Sequence, residues 1–380
     1  MGSHASHSVL RSRSQISGGK RSVSIQPFVH KEIEAIQIAS TKIVVEKRAD
    51  IMPLFEPLRQ ACGDAICGPA MAIYHFGAVK EGFLVEAAFP VSCRVETGAI
   101  HTRQLEEARA WTAIHHGPLE TIRETTTALI EHTRARAGTI GGQREIYLVL
   151  DLDHPEQNVT EIQFTRHEWD RLLAEGLKRN LGDKARAQVM EGIEQIAPES
   201  SQEMYTEWIR SAMDTIDSLT DDAEEKYKVL SCCAHVFPEE RIAYLRSVYE
   251  QRRDIDDVLK EMYQDPDWYE DPVRTGNVLH MGKVPYDPNG YEHGTTAVER
   301  RKAYCHCAFV RPFLDEVPSR MSPTFCWCGS GWYRRLWEGI LEQPVKIEHV
   351  ETLLNGNDQC TLTITLPLAL EGKMRPERAS

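Results

Sequence analysis

Two groups of residues have the types and spacing to do chemistry. Glu145 and Tyr147 stand two apart in Arg144–Leu150, an apolar stretch that reads as a strand, so their side chains leave the same face. A carboxylate on such a face is costly to bury unless it meets a cation, a donor or a proton. With Glu145 supplying charge and Tyr74, Tyr147 and Trp111 supplying ring faces, the set could anchor a cationic or polarised aromatic ligand. The competing reading is a strand glutamate paired with a neighbouring arginine such as Arg144. The second group is Cys305-His306-Cys307 followed, after residues 308–325, by Cys326-Trp327-Cys328. On strands, residues two apart share a face, so each pair could present two thiolates and the four could complete a tetrahedral zinc site. The one-residue spacer is less common than C-x₂-C in zinc knuckles, and two other readings are open. The thiols could pack a core, or one could be a nucleophile with His306 or His280 as its base. Cys232-Cys233 and His235 lie between helical stretches, where adjacent thiols read as packing close to that cluster.

These residues need elements to hold them. From Glu32 to Trp169 one pattern occurs twice. In the first pass Glu32–Val45 reads as a strand, Arg48–Gly63 as a helix closing on glycine, and Ala70–Tyr74 and Gly82–Val91 as strands. In the second, Arg103–Ile114 is a strand, Gly117-Pro118 opens a helix running to Ala137, and Arg144–Leu150 and Asn158–Thr165 are strands. The dipeptides Ile73-Tyr74 and Ile146-Tyr147 fall at matching points of the two passes. Two such units predict one sheet backed by two helices, with a cleft where the units meet. Apolar residues then recur at helical spacing through 169–265. Beyond Pro266 the pattern returns to strands at Asn277–Val284, Tyr304–Phe309, Val345–Leu353 and Cys360–Leu366, with a helix at Trp332–Leu341. The fold class expected is α+β.

Several segments of the first part carry a family resemblance. Cys67–Tyr74, Val85–Val91, His116–Leu119 and Arg144–Leu148 together resemble the GyrI-like small-molecule-binding domain shared with the effector domains of AraC-type regulators, over about residues 30–168. The resemblance implies a cleft between the repeats that binds bulky, often cationic or aromatic compounds, as multidrug-binding members do. It makes Glu145 the pocket charge and places Tyr74, Glu86, Trp111 and Tyr147 around it. Similar members are hydrolases that open strained rings. For this chain that alternative has Glu145 as general base and Tyr147 or Tyr74 polarising the leaving oxygen. No helix-turn-helix precedes the resembling segment, so a one-component transcription factor is not expected. Gly331–Tyr333, Trp337–Ile340, Val345–Glu351 and Asn355–Cys360 look like the end of 4-vinyl-reductase-type and aminothiazoline-carboxylate-hydrolase-like domains, which bind small hydrophobic molecules.

Composition narrows the function classes. The chain has 380 residues, 41% apolar and 27% charged, inside the globular range. Its 44 Lys and Arg against 57 Asp and Glu leave a formal charge of −13, an unfavourable balance for gripping phosphate backbones, so no direct nucleic-acid binding is expected. Apolar runs are too short to span a bilayer. Ten cysteines without a secretory signal point to thiols rather than a disulfide framework, and the expected location is cytoplasmic. The organisation expected is a disordered basic tail over 1–31, a ligand-binding domain over 32–168, a helical connector or the start of a second domain over 169–265, a Cys-rich α/β domain over 266–372 and a short tail over 373–380. A small-molecule ligand is the expected partner and zinc the candidate cofactor.

Overall fold

The computed structural model describes residues 27–316 and 318–367. The expected tails, 1–26 of the first and the whole of 373–380, lie outside the described residues; residues 29–31, expected in the first tail, instead belong to a strand, Val29–Ile33, held by pairing to residues 108–112.

The duplicated pattern folds as a duplicated unit. The first repeat is β1 (Val29–Ile33), β2 (Ile36–Val45), α1 (Phe55–Cys62), β3 (Ala70–His75) and β4 (Phe83–Pro90). The second is β5 (His101–Leu105), β6 (Ala108–His116), α2 (Ile122–Arg134), β7 (Ile140–Val149) and β8 (Val159–Arg166). All eight strands join one antiparallel sheet in the order β1-β6-β8-β7-β3-β4-β2-β5. The repeats meet where β3 pairs with β7, and each lends its first strand to the outer edge of the other. The expected strands over Glu32–Val45 and Arg103–Ile114 are each divided in two. The breaks fall at exposed residues, Glu34-Ala35 and Glu106-Glu107, where no apolar side chain holds the chain against the sheet. The expected helix over Arg48–Gly63 begins as a 3₁₀ segment, Arg48–Leu54, because Pro53 lacks a backbone donor and disfavours helical geometry in the residue before it. It turns α-helical at Phe55 and stops at Gly63, whose φ of 50° most residues avoid.

Register sorts the side chains between two faces, since residues directly opposite in antiparallel strands point the same way. Ala72 lies opposite Glu145 and Ala87, whereas the next residue, Ile73, lies opposite Arg144 and Glu86. Glu145, Tyr147, Tyr74, Val85 and Phe89 therefore share the face that α1 covers, where Phe55 and Leu58 pack against Ala72, Phe89 and Tyr147. Burying each of those two helix side chains contributes roughly 1.5–3 kcal/mol. Glu86 and Arg144 share the opposite face with Ile38, Met71 and Ile73.

Residues 169–265 are helical, as expected: α3 (Trp169–Val189, kinked at Gly182), α4 (Gln202–Leu219), α5 (Ala223–Leu230), α6 (Glu239–Arg252) and α7 (Ile255–Met262). There follow α8 (Pro266–Tyr269), β9 (Val273–Thr275), β10 (Val278–Gly282), α9 (Pro288–His293), α10 (Ala297–Tyr304), α11 (Trp327–Leu341), β11 (Lys346–Glu351) and β12 (Thr361–Thr365), with a second sheet in the order β11-β12-β10-β9. These helices share their cores with the chain beyond them. Trp169, Tyr205 and Ile209 pack with Phe309 and Phe325, and Phe237, Leu245 and Val258 with Leu279, Trp337 and Ile364. The molecule is α+β, with two separate sheets among the described residues.

One expectation fails here. Tyr304–Phe309 is no strand: Thr296 and Glu299 form a reciprocal capping box that starts α10, and α10 ends at Tyr304. Cys305 and Cys307 lie beyond its end, and Cys326 and Cys328 stand at the start of α11, so neither pair presents its thiols from one face of a strand.

Candidate functional site

Glu145 sits at the seam between the repeats and is wholly buried, at 0% exposure. Four donors converge on it, two on each oxygen. Arg48 Nη2 at 2.7 Å and Gln143 Nε2 at 3.3 Å donate to Oε1, while the hydroxyls of Tyr74 at 3.0 Å and Tyr147 at 3.1 Å donate to Oε2. The ring of contacts closes on itself, because Arg48 Nε also donates to the Tyr74 oxygen at 3.1 Å. Burial works against charge on the Arg48 guanidinium, and Glu145 beside it more than reverses the effect, leaving its pKa above the ordinary value. Burial and then the charge of Glu145 push both phenols well above theirs, so Tyr74 and Tyr147 remain neutral donors.

The local sequence explains each placement. Gln143, Glu145 and Tyr147 alternate inward along β7, and Tyr74 reaches the same face from β3, where it lies opposite Gln143. Phe55 of α1 meets the Tyr147 ring edge-on at 5.5 Å, which leaves that hydroxyl little freedom to turn away from Glu145. Arg48 arrives from outside the sheet, on the 3₁₀ segment before α1, and keeps 29% of its side chain exposed. It is thus the one partner of Glu145 that borders solvent without belonging to a strand.

The structure corrects part of the expected site. The arginine that pairs with Glu145 is Arg48, not Arg144, whose side chain leaves the other face of β7. Glu86, expected beside Glu145, also belongs to that other face. There it accepts from Ser40 Oγ at 2.6 Å, from Arg103 Nε and Nη2 at 2.7 and 2.6 Å, and meets His75 Nε2 at 3.0 Å. Burial alone would raise its pKa; the hydrogen bonds from His75, Arg103 and Ser40 outweigh it and hold the carboxyl well below the usual range. Trp111 shares the Glu145 face, but two strands away, and packs with Ile122, Leu129 and Phe164. It lines a separate crevice of about 10 Å³ with His30 and Arg166, room for about one water. Tyr74, Glu145 and Tyr147 are brought together; Glu86 and Trp111 are not among them. Arg48 and Gln143 were missed, and only Gln143, two residues before Glu145 on the same strand face, left a signal in the sequence.

The thiols do gather. Cys305, Cys307, Cys326 and Cys328 belong to one core cluster, joined by Cys232, Cys233 and Cys360. Burial pushes the thiols of Cys305, Cys307, Cys326 and Cys328 up, which favours the protonated form. Among the described residues no three His, Cys, Asp or Glu side chains are placed to hold a metal ion, so this cluster does not fit the expected zinc. His306, a candidate base, instead has Nε2 2.8 Å from the carbonyl oxygen of Val284.

No protein-family model matches the chain, and no curated protein is significantly similar to it. Solved structures are. The C-terminal domain of EcmrR is 22% identical, with a TM-score of 0.34, over 38% of this chain and 98% of that one. A hydrolase from Listeria innocua is 12% identical, TM-score 0.28, over 38% and 94%. SAV2435 bound to tetraphenylphosphonium is 11% identical, TM-score 0.28, over 38% and 97%. The resemblance expected of residues 300–367 gains no support from these neighbours. Among the described residues no helix is long and apolar enough to cross a membrane.

Proposed function

We propose that the eight-stranded sheet binds a bulky hydrophobic cation at Glu145, and that Arg48 is the internal cation such a ligand displaces. One observation carries this reading: a wholly buried carboxylate between two tyrosine rings whose sole charged partner among the described residues is a part-exposed guanidinium on a non-strand segment. Arg48 lies over the Tyr74 ring at 5.8 Å from its centre, the placement an aromatic site offers a ligand cation. A delocalised cation entering there would keep the charge balance of Glu145 and gain ring contact, while Arg48 swings to water.

Hydrolysis fits less well. A general base needs a lone pair free for water, and both oxygens of Glu145 already accept two donors each.

The test is calorimetric titration of the full chain with tetraphenylphosphonium and with its neutral analogue tetraphenylmethane, for the wild type and Glu145→Gln. The cation should lose about 1–3 kcal/mol on substitution and the neutral compound almost nothing. Equal losses would remove the charge from the account.

A further inference from the structure

Cys232 and Cys233 take no part in the Glu145 site. They occupy the 3₁₀ turn Ser231–Cys233 between α5 and α6, and their sulfurs stand 4.0 Å apart. Cys233 is fully buried, whereas Cys232 is only half-buried. The Cys232 thiol donates to the carbonyl oxygen of Val229 at 2.9 Å and lies 3.6 Å from that of Leu172, and Arg334 Nη1 donates to Ser231 Oγ in the same turn at 2.7 Å. The hydrogen bond with Cys233, helped by Arg179 and Arg334, outweighs burial and draws the Cys232 thiol down to about 7; burial pushes Cys233 well above its ordinary value. Cys232 is therefore the part-exposed sulfur of the pair, with a buried, protonated one beside it. Cys305, Cys307, Cys326, Cys328 and Cys360 are all pushed the other way by burial.

The turn is also tightly enclosed. A side-chain carbon at Gly176 of α3 would lie 2.8 Å from Cys232 Sγ, and one at Gly331 of α11 would lie 1.9 Å from the Ser231 carbonyl oxygen. On that side α3 closes off the sulfur, which disfavours a bulky adduct such as glutathione on Cys232.

We infer that Cys232 and Cys233 form a vicinal dithiol that reduces small hydroperoxides, with Cys232 as the attacking sulfur and Cys233 as the resolving one. The Cys232 thiolate attacks the outer oxygen of ROOH and the O–O bond breaks. The alkoxide leaves as ROH with the proton that Cys232 released, and Cys232 becomes a sulfenic acid. The Cys233 sulfur then attacks the Cys232 sulfur and the S–O bond breaks. Hydroxide departs as water with the Cys233 proton, and a disulfide remains. Two thiols are oxidised by one hydroperoxide, and an external dithiol reverses the change. The Cys233 carbonyl accepts from His167 Nε2 at 2.9 Å, so closing the ring would pull on the joint between β8 and α3.

The experiment treats the reduced, unsubstituted chain with one equivalent of hydrogen peroxide, blocks the remaining thiols under denaturing conditions and maps them by peptide mass spectrometry. The disulfide should appear between Cys232 and Cys233 before any other cysteine is lost, and dithiothreitol should restore both thiols. Cys233→Ser should stop at a sulfenic acid on Cys232, read by peptide mass spectrometry as the gain of one oxygen atom. First oxidation at the exposed Cys67 or Cys93 or within 305–360, or two thiols at 232–233 that stay alkylatable, overturns the inference. Mapping on the unsubstituted chain decides the matter even if a variant folds poorly.

Discussion

An ionised carboxylate left alone where Glu145 lies would cost several kcal/mol, and it is the geometry of four donors, one of them a guanidinium, that removes the cost. The same logic governs Glu86 on the other face, where a testable pH dependence arises. Its pKa in the folded chain lies below the unfolded value, so the unfolded chain takes up a proton first as pH falls. The stability Glu86 contributes is therefore complete above the ordinary carboxylate range and is lost progressively as pH drops through and below it. Urea unfolding from about pH 6 to about pH 3 should show the wild type losing its advantage over Glu86→Gln step by step on the acid side. Parallel curves for the two proteins would mean that Ser40, His75 and Arg103 do not favour the ionised form.

At the scale of elements, α11 fits against the turn at Ser231 only because residue 331 carries no side chain. Gly331→Ala would force Ser231 or α11 to move, at a cost of about 1–3 kcal/mol in urea unfolding; an unchanged midpoint would show that the contact yields freely. Much of the element pattern was legible in the sequence. Ala70–Tyr74 and Ile146–Leu150 are short apolar runs followed closely by turn-forming residues, Gly77 and Asp151, which reads as buried strand. Tyr304–Phe309 misled because a short apolar run has no period of its own, while the signal that decides it, Thr296 with Glu299, lay outside the run. The C-x-C argument fell with that strand. Glu145 and Tyr147 could be placed on one face from spacing alone, whereas Tyr74 joins them through the register of β3 against β7. Arg48 could not, being 97 residues away in sequence and brought in by the tertiary fold. Glu86 was misassigned because a resemblance names a position, whereas the face it points to follows from register.

Across the whole molecule, the sheet and the helical part are tied at the β3–β4 turn. Arg241 Nε donates to the Gly77 carbonyl, Nη1 to Asp265 at 2.8 Å, and the guanidinium lies 4.3 Å from the centre of the Trp268 ring. Lys42 with Glu240, and Lys80 with the carbonyl of Gln264, flank this contact. Arg241→Ala should cost on the order of 3 kcal/mol, because it leaves Asp265 unpaired, and should separate the unfolding of the sheet from that of the helices in a calorimetric scan. A single unshifted transition would show that the contact does not couple them. Tyr74 lies on β3 just before this turn, so the seam that holds Glu145 and the joint between the two parts share one strand. The competition between Arg48 and a ligand for Glu145 is tested most directly by the affinity of Arg48→Ala for tetraphenylphosphonium. With the internal cation gone, binding should tighten by roughly tenfold or more, equivalent to ~1.4 kcal/mol, and saturating ligand should restore the melting temperature that the substitution lowers. Affinity unchanged or weakened, with the neutral analogue behaving alike, would contradict the account.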